Sequence, residues 1–145
     1  MLNTKALAHI RQADGKKQPL EEHLLSVAKL AGFFARKIGL TSSGQIAGCS
    51  HDMGKYSGIF QQYLLSANGM IEQDSDEFID PVSSKGKIDH STAGAQYLWN
   101  RLEKYKLFAQ MMFLSVCSHH SGLIDCLTPD GENRFDERLK KQVPL

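Results

Sequence analysis

Neither charge is in excess: 17 Lys and Arg stand against 16 Asp and Glu, a formal net charge of +1 over 145 residues. The overall balance therefore exerts no strong nonspecific pull on nucleic acid or an anionic membrane, although a local groove can still supply such a field. No apolar run approaches the ~18 residues needed to span a bilayer, so a membrane partner is not expected. The first twenty residues hold Lys5, His9, Arg11, Asp14, Lys16 and Lys17 and lack the long apolar centre of a secretory signal. Cysteine is scarce, and Cys49, Cys117 and Cys126 make no even set. That favours a reducing, cytoplasmic compartment over a disulfide-stapled secreted domain. β-Branched residues are sparse and no segment alternates cleanly, which argues against a sheet-built fold. There is no GxxxxGK[ST] run, so ATP hydrolysis of the helicase kind is not expected of these residues.

What is present is helical periodicity. With 41% hydrophobic and 23% charged residues, the composition is that of a soluble folded domain, and the length suits a single one spanning 1–145. Residues 3–12 make a short helix candidate, followed by a polar turn at Asp14-Gly15-Lys16-Lys17. Pro19, with Glu21 and Glu22 behind it, suits a helix start. Leu20, Leu24, Val27, Ala31, Phe34 and Ile38 then recur at three and four, giving an amphipathic helix of about five turns that stops at Gly39. Ser42 or Ser43 can cap a helix carrying Ile46, Ala47, Ser50 and His51, ended by Gly54. Further helices are read around Ile59–Leu64, from His90 to about Tyr105, from Leu107 to about His120, and after Arg134. Residues 68–88 are rich in turn formers and read as a long loop. The fold class is all-α.

Histidine is the unusual component. Five of the six, His23, His51, His90, His119 and His120, fall on inward or helix-terminal positions of four different helices. Burying several imidazoles without partners is costly, and a metal satisfies them together. His51-Asp52 pairs an imidazole with a carboxylate beside a helix-breaking glycine, where both can reach one centre. His119-His120 closes an apolar helix on the face of Phe108, Met112 and Ser115. Bundles of antiparallel helices recurrently hold two metals in this way. The rival, a structural zinc site built from Cys49-x-His51 and Cys117-x-His119, is disfavoured because residues two apart on a helix face nearly opposite sides.

The motifs Glu22-His23-Leu24, Ser50-His51-Asp52-Met53-Gly54-Lys55 with Phe60-Gln61, Asp89-His90-Ser91 with Gly94, and His119-His120-Ser121-Gly122 together carry a resemblance. In that order the chain resembles the HD phosphohydrolase superfamily, and within it the HD nuclease domain of the type I CRISPR-associated helicase-nuclease. The resemblance implies an HD-domain helical bundle around a metal centre. It implies two divalent ions (Mn, Fe, Co, Ni or Mg), one held by His23, His51 and Asp52, with Asp52 bridging to another held by His90, His119 and His120. It implies catalytic roles for Asp52 and for Lys55, the latter steadying charge on a phosphate. The implied reaction is metal-dependent cleavage of single-stranded DNA in antiviral CRISPR interference, with a helicase domain or subunit and a surveillance complex as partners. The family uses a further downstream aspartate as a ligand. Asp125, Asp130 and Asp136 do not stand in its context, so a chain truncated on its C-terminal side is expected. Two alternatives stand beside this reading: an HD-type nucleotide phosphohydrolase, and a non-catalytic metal-binding module that docks to a helicase or surveillance complex.

Overall fold

In a computed structural model, which describes residues 6–120 and 122–143, the first described element is a hairpin. Gly15, at φ 69°, lets the chain turn after Asp14. Strand β1 (Leu7–Ile10) then pairs antiparallel with β2 (Lys17–Pro19), with His9 opposite Gln18. This corrects the helix expected over 3–12. Ala8 and Ile10 are buried while His9 between them is exposed, a period of two. Over so few residues, apolar spacing alone does not separate that period from a helical one.

Helix α1 (Leu20–Ala35) starts behind Pro19 and continues as a 3₁₀ turn, Arg36–Ile38, to Gly39 in the left-handed conformation. Its buried row is Leu20, Leu24, Ala28 and Gly32, whereas Phe34 and Ile38 are exposed, against expectation. The reason is α2 (Thr41–Ser50). A Cβ on Gly48 would stand 2.6 Å from Ala28 Cα, and one on Gly44 would stand 2.8 Å from Ala35 Cβ. The two helices therefore touch almost backbone to backbone, and small residues rather than large ones define the contact. The pairing of Gly44 with Ala35 and Gly48 with Ala28 shows that they run antiparallel. Ser42 and Ser43 lie in the first turn of α2, which has no side-chain cap.

A 3₁₀ turn, Met53–Tyr56, leads to α3 (Gly58–Ser66), whose first turn is capped by Ser57 accepting from Phe60 N. Residues 68–88 are mostly turns and contain one helical turn, α4 (Pro81–Ser84), capped by the Asp80 carboxylate. Helix α5 (Thr92–Arg101) starts later than expected, so that His90 precedes it, and α6 (Lys106–Cys117) ends before His119. The charged closing helix is α7 (Arg134–Lys140).

The main core lies between α5, α6 and α7. Leu98, Met112, Phe113, Val116 and Phe135 form its centre. Trp99, Phe113 and Phe135 meet edge to face at 5.0–6.5 Å between ring centroids. A smaller cluster of Ala8, Leu20 and Leu24 seats the hairpin on α1. The fold is thus largely helical, with a two-stranded hairpin that the sequence reading lacked. No helix among the described residues is long and apolar enough to cross a membrane.

Candidate metal centre

The site is assembled from helix ends. His23 lies within α1, but His51 and Asp52 follow the last residue of α2, His90 precedes α5, and His119 and His120 follow α6. At such positions the chain can aim adjacent side chains at one point, which it cannot do inside a helix. Two glycines bring the segments together. A Cβ on Gly54 would stand 2.6 Å from His90 Cα, and one on Gly94 would collide with the carbonyl of Ser50. His90 and the end of α2 therefore meet with nothing between them.

All five histidines and Asp52 converge. Asp52 Oδ2 is 3.1 Å from His23 Nε2 and 3.2 Å from His51 Nε2, and those two nitrogens are 3.3 Å apart. Asp52 Oδ1 is 3.3 Å from His119 Nε2 and 3.7 Å from His90 Nε2. His90 Nε2 meets His120 Nε2 at 2.7 Å. His119 does not extend the core stripe of α6, which is Ala109, Met112, Phe113, Val116 and Cys117; it is carried to the site by the turn that ends the helix. The thiols take no part. Cys117 is buried, its pKa pushed up by that burial, and Cys49 is exposed.

The backbone sets the chemistry of these rings. Nδ1–H of His51 donates to Gly48 O (2.8 Å), that of His119 to Val116 O (2.7 Å), and that of His90 to Ile88 O (3.2 Å). In a neutral imidazole this leaves the lone pair on Nε2. For His51 and His119 that lone pair points at a carboxylate that also only accepts. Asp52 Oδ1 is itself buried with no well-formed hydrogen bond. Such facing acceptors are reconciled either by a proton on the ring, as the raised pKa of His119 reflects, or by a metal cation between them. The Oδ2-side separations of 3.1–3.3 Å match the ~3 Å between neighbouring ligands around an ion with bonds of about 2.1 Å. The residues present fit a divalent metal.

Two groups of ligand atoms lie within 4.8 Å of one another: Asp52, His90, His119 and His120 on one side, and Asp52, His23 and His9 on the other. His9 was not among the candidates. The Asp14-Gly15 turn between short apolar stretches was the available signal for its hairpin.

Protonation follows from burial and from Asp52. Burial lowers the pKa of His23, His90 and His120, so these imidazoles are neutral and ready to ligate. His119 is raised by its contact with Asp52. Burial works against ionisation of Asp52, but contacts from His119, His51 and Lys55 outweigh it and hold the carboxyl well below the usual range. Lys55 is no surface lysine. Its side chain is 5% exposed and its ammonium lies 2.9 Å from Asp52 Oδ2, with Ala8 O and His9 Nε2 each at 3.4 Å. The Phe60-Gln61 pair also acquires a role. Phe60 packs on the His90 ring at 5.1 Å. Gln61 bonds both backbone groups of Leu7 at 2.9 Å and the Lys55 carbonyl at 2.6 Å, joining β1 to the segment after Asp52.

No curated protein matches the chain. A family model described as "Cas3, HD domain" matches residues 44–141. The match takes in His51-Asp52, His90 and His119-His120, while His23 lies before it and is brought to the same carboxylate by the antiparallel packing of α1 on α2. With more than half of its length matched and a His/Asp cluster able to hold metal at the centre of its fold, the chain belongs to the Cas3 HD domain family.

Proposed function

We propose that this member of a family of HD-type CRISPR-associated phosphohydrolases is a nuclease that cuts single-stranded DNA, using two divalent ions held on either side of Asp52. The observation that carries the reading is the carboxylate itself: 4% exposed, it is met by His23 and His51 at one oxygen and by His119 and His90 at the other. A pair of cations held there supplies a water of lowered pKa and a clamp on the attacked phosphate. Which ion is native (Mn, Fe, Co, Ni or Mg) is set by availability as much as by the donors.

The chain's own residues do the rest. Asp52 fixes the spacing of the two ligand sets. The Nδ1–H bonds to Gly48, Ile88 and Val116 lock the rings with Nε2 facing inward. Lys55, whose ammonium is already engaged by Asp52, Ala8 and His9, balances the carboxylate rather than reaching freely for a phosphate. A cleft of about 470 Å³ opens beside His90 and His120, bordered by Lys87, Arg138 and Lys141. Asp89 also lines it and pairs with Arg138 and Lys141, leaving a rim that is net basic, which suits a polyanion despite the near-neutral overall charge. A helicase and a CRISPR surveillance complex are the partners proposed to deliver the strand.

The test is a substrate panel on protein loaded in turn with each of these ions. Single-stranded oligonucleotides should be cut, and Asp52→Asn should abolish cutting. Hydrolysis of nucleoside phosphates with oligonucleotides left intact would replace the nuclease reading with a nucleotide phosphohydrolase. Metal bound tightly without hydrolysis of either substrate would replace it with a docking module.

A further inference from the structure

His9 lies outside the matched segment and outside every motif that pointed to the metal centre. Yet the hairpin carries it there. Its ring stands edge-on to that of His23 at 4.9 Å between centroids. It offers a ring nitrogen within 4.8 Å of ligand atoms of both His23 and Asp52. No other Asp, Glu or Cys among the described residues joins that group.

The placement is built. In β1, Ala8 and Ile10 are buried, so the pleat turns His9 the other way. Gln61 clamps Leu7 through both its N–H and its carbonyl while binding the carbonyl of Lys55. Lys55 in turn lies within 3.4 Å of the carbonyl of Ala8 and of His9 Nε2 while paired with Asp52. The strand is thus tied by four contacts, two through Gln61 and two through Lys55, to the segment that follows Asp52.

We infer that His9 is a ligand of the metal on the His23 side of Asp52, where His9, His23 and Asp52 lie within mutual reach and His51 meets the same carboxylate oxygen at 3.2 Å. The inference rests on the two-ion reading above, and its test separates the two. Metal-free full chain is titrated with Mn²⁺ and the bound metal counted, for the wild type and for His9→Ala. The ring nitrogens of His9 are followed by ¹⁵N NMR as Cd²⁺ is added.

The wild type should take two ions. His9→Ala should keep one at unchanged affinity and bind the other roughly ten-fold or more weakly, since replacing even groups that only orient a ligand costs 10–100-fold. A His9 ring nitrogen should leave its free lone-pair position as Cd²⁺ binds. Because His9 is exposed, the variant should fold with an unchanged metal-free melting temperature. Two ions bound with unchanged affinity by His9→Ala, or an unmoved His9 resonance in a two-metal wild type, would overturn the role of His9 and leave the centre intact. A wild type that takes up no metal would overturn both.

Discussion

At the residue scale the centre is a problem of charge and lone pairs. Asp52 is ionised in a nearly closed setting because Lys55, with contacts from His119 and His51, outweighs the cost of its burial. Removing one partner of such a pair is far costlier than its formation is favourable, since a charge is left buried alone. Lys55→Met should therefore lose about 3–5 kcal/mol of stability in the metal-free protein. A bound divalent cation takes over the balancing role, so added Mn²⁺ should return most of that loss. Urea unfolding with and without the ion measures both effects. Equal midpoints for wild type and variant without metal would show that the pair contributes nothing. The sequence exposed Asp52 and its five histidines through their motifs. It did not disclose that Lys55 is buried, because a lysine three residues after an aspartate on a turn reads equally well as solvated.

At the scale of elements, small residues decide which chain ends meet. Gly54 lies against the backbone of His90. Gly54→Ala must push that segment away, at a cost of about 1–3 kcal/mol for overpacking. The His90, His119 and His120 set should bind metal more weakly in this variant, while the His23 side keeps its affinity. Isothermal titration resolves the two, and an unchanged pair of affinities would refute the steric argument.

Helix α7 is held differently. The Asp89 carboxylate accepts from Thr92 N and Oγ1, Arg138 and Lys141, and Gln96 bonds the carbonyls of Arg138, Leu139 and Lys141. Burial opposes ionisation of Asp89, but Lys141 and Thr92 outweigh it and hold the carboxyl below the usual carboxylate range. A depressed folded-state pKa means that this stabilisation is fully present above the unfolded value of ~3.9 and is lost as pH falls below it. Asp89→Asn should therefore be less stable than wild type at pH 7 by about 1–3 kcal/mol. The gap should close as pH is lowered toward 2. Melting temperatures across that range check it, and a gap that widens in acid would reverse the assignment.

For the molecule as a whole, the proposed ligands come from the hairpin, α1, the end of α2, the approach to α5 and the turn after α6, so metal bound there would join nearly every part of the fold. A ligand that binds only the folded state stabilises it by about 2.7 kcal/mol at a hundred times its Kd. Excess Mn²⁺ should raise the melting temperature, and EDTA should reverse the rise. No response to either would sink the metal centre. Histidines read from the sequence at inward or helix-terminal positions of four helices lie, apart from His23, just outside the helix ends. Periodicity extends a helix to its last apolar residue, whereas the chain stops where capping and neighbouring backbone dictate.

The sequence by itself determined the helical character and singled out Asp52 and five histidines as one candidate centre, because these are written in local spacing and in motifs that chance rarely assembles. Only the tertiary structure decided that α1 packs through Ala28 and Gly32 rather than through Phe34 and Ile38, that Lys55 is buried against Asp52, and that His9 reaches the same carboxylate. Each of these depends on how closely two distant backbones approach, and that distance is fixed by which side chains are missing between them.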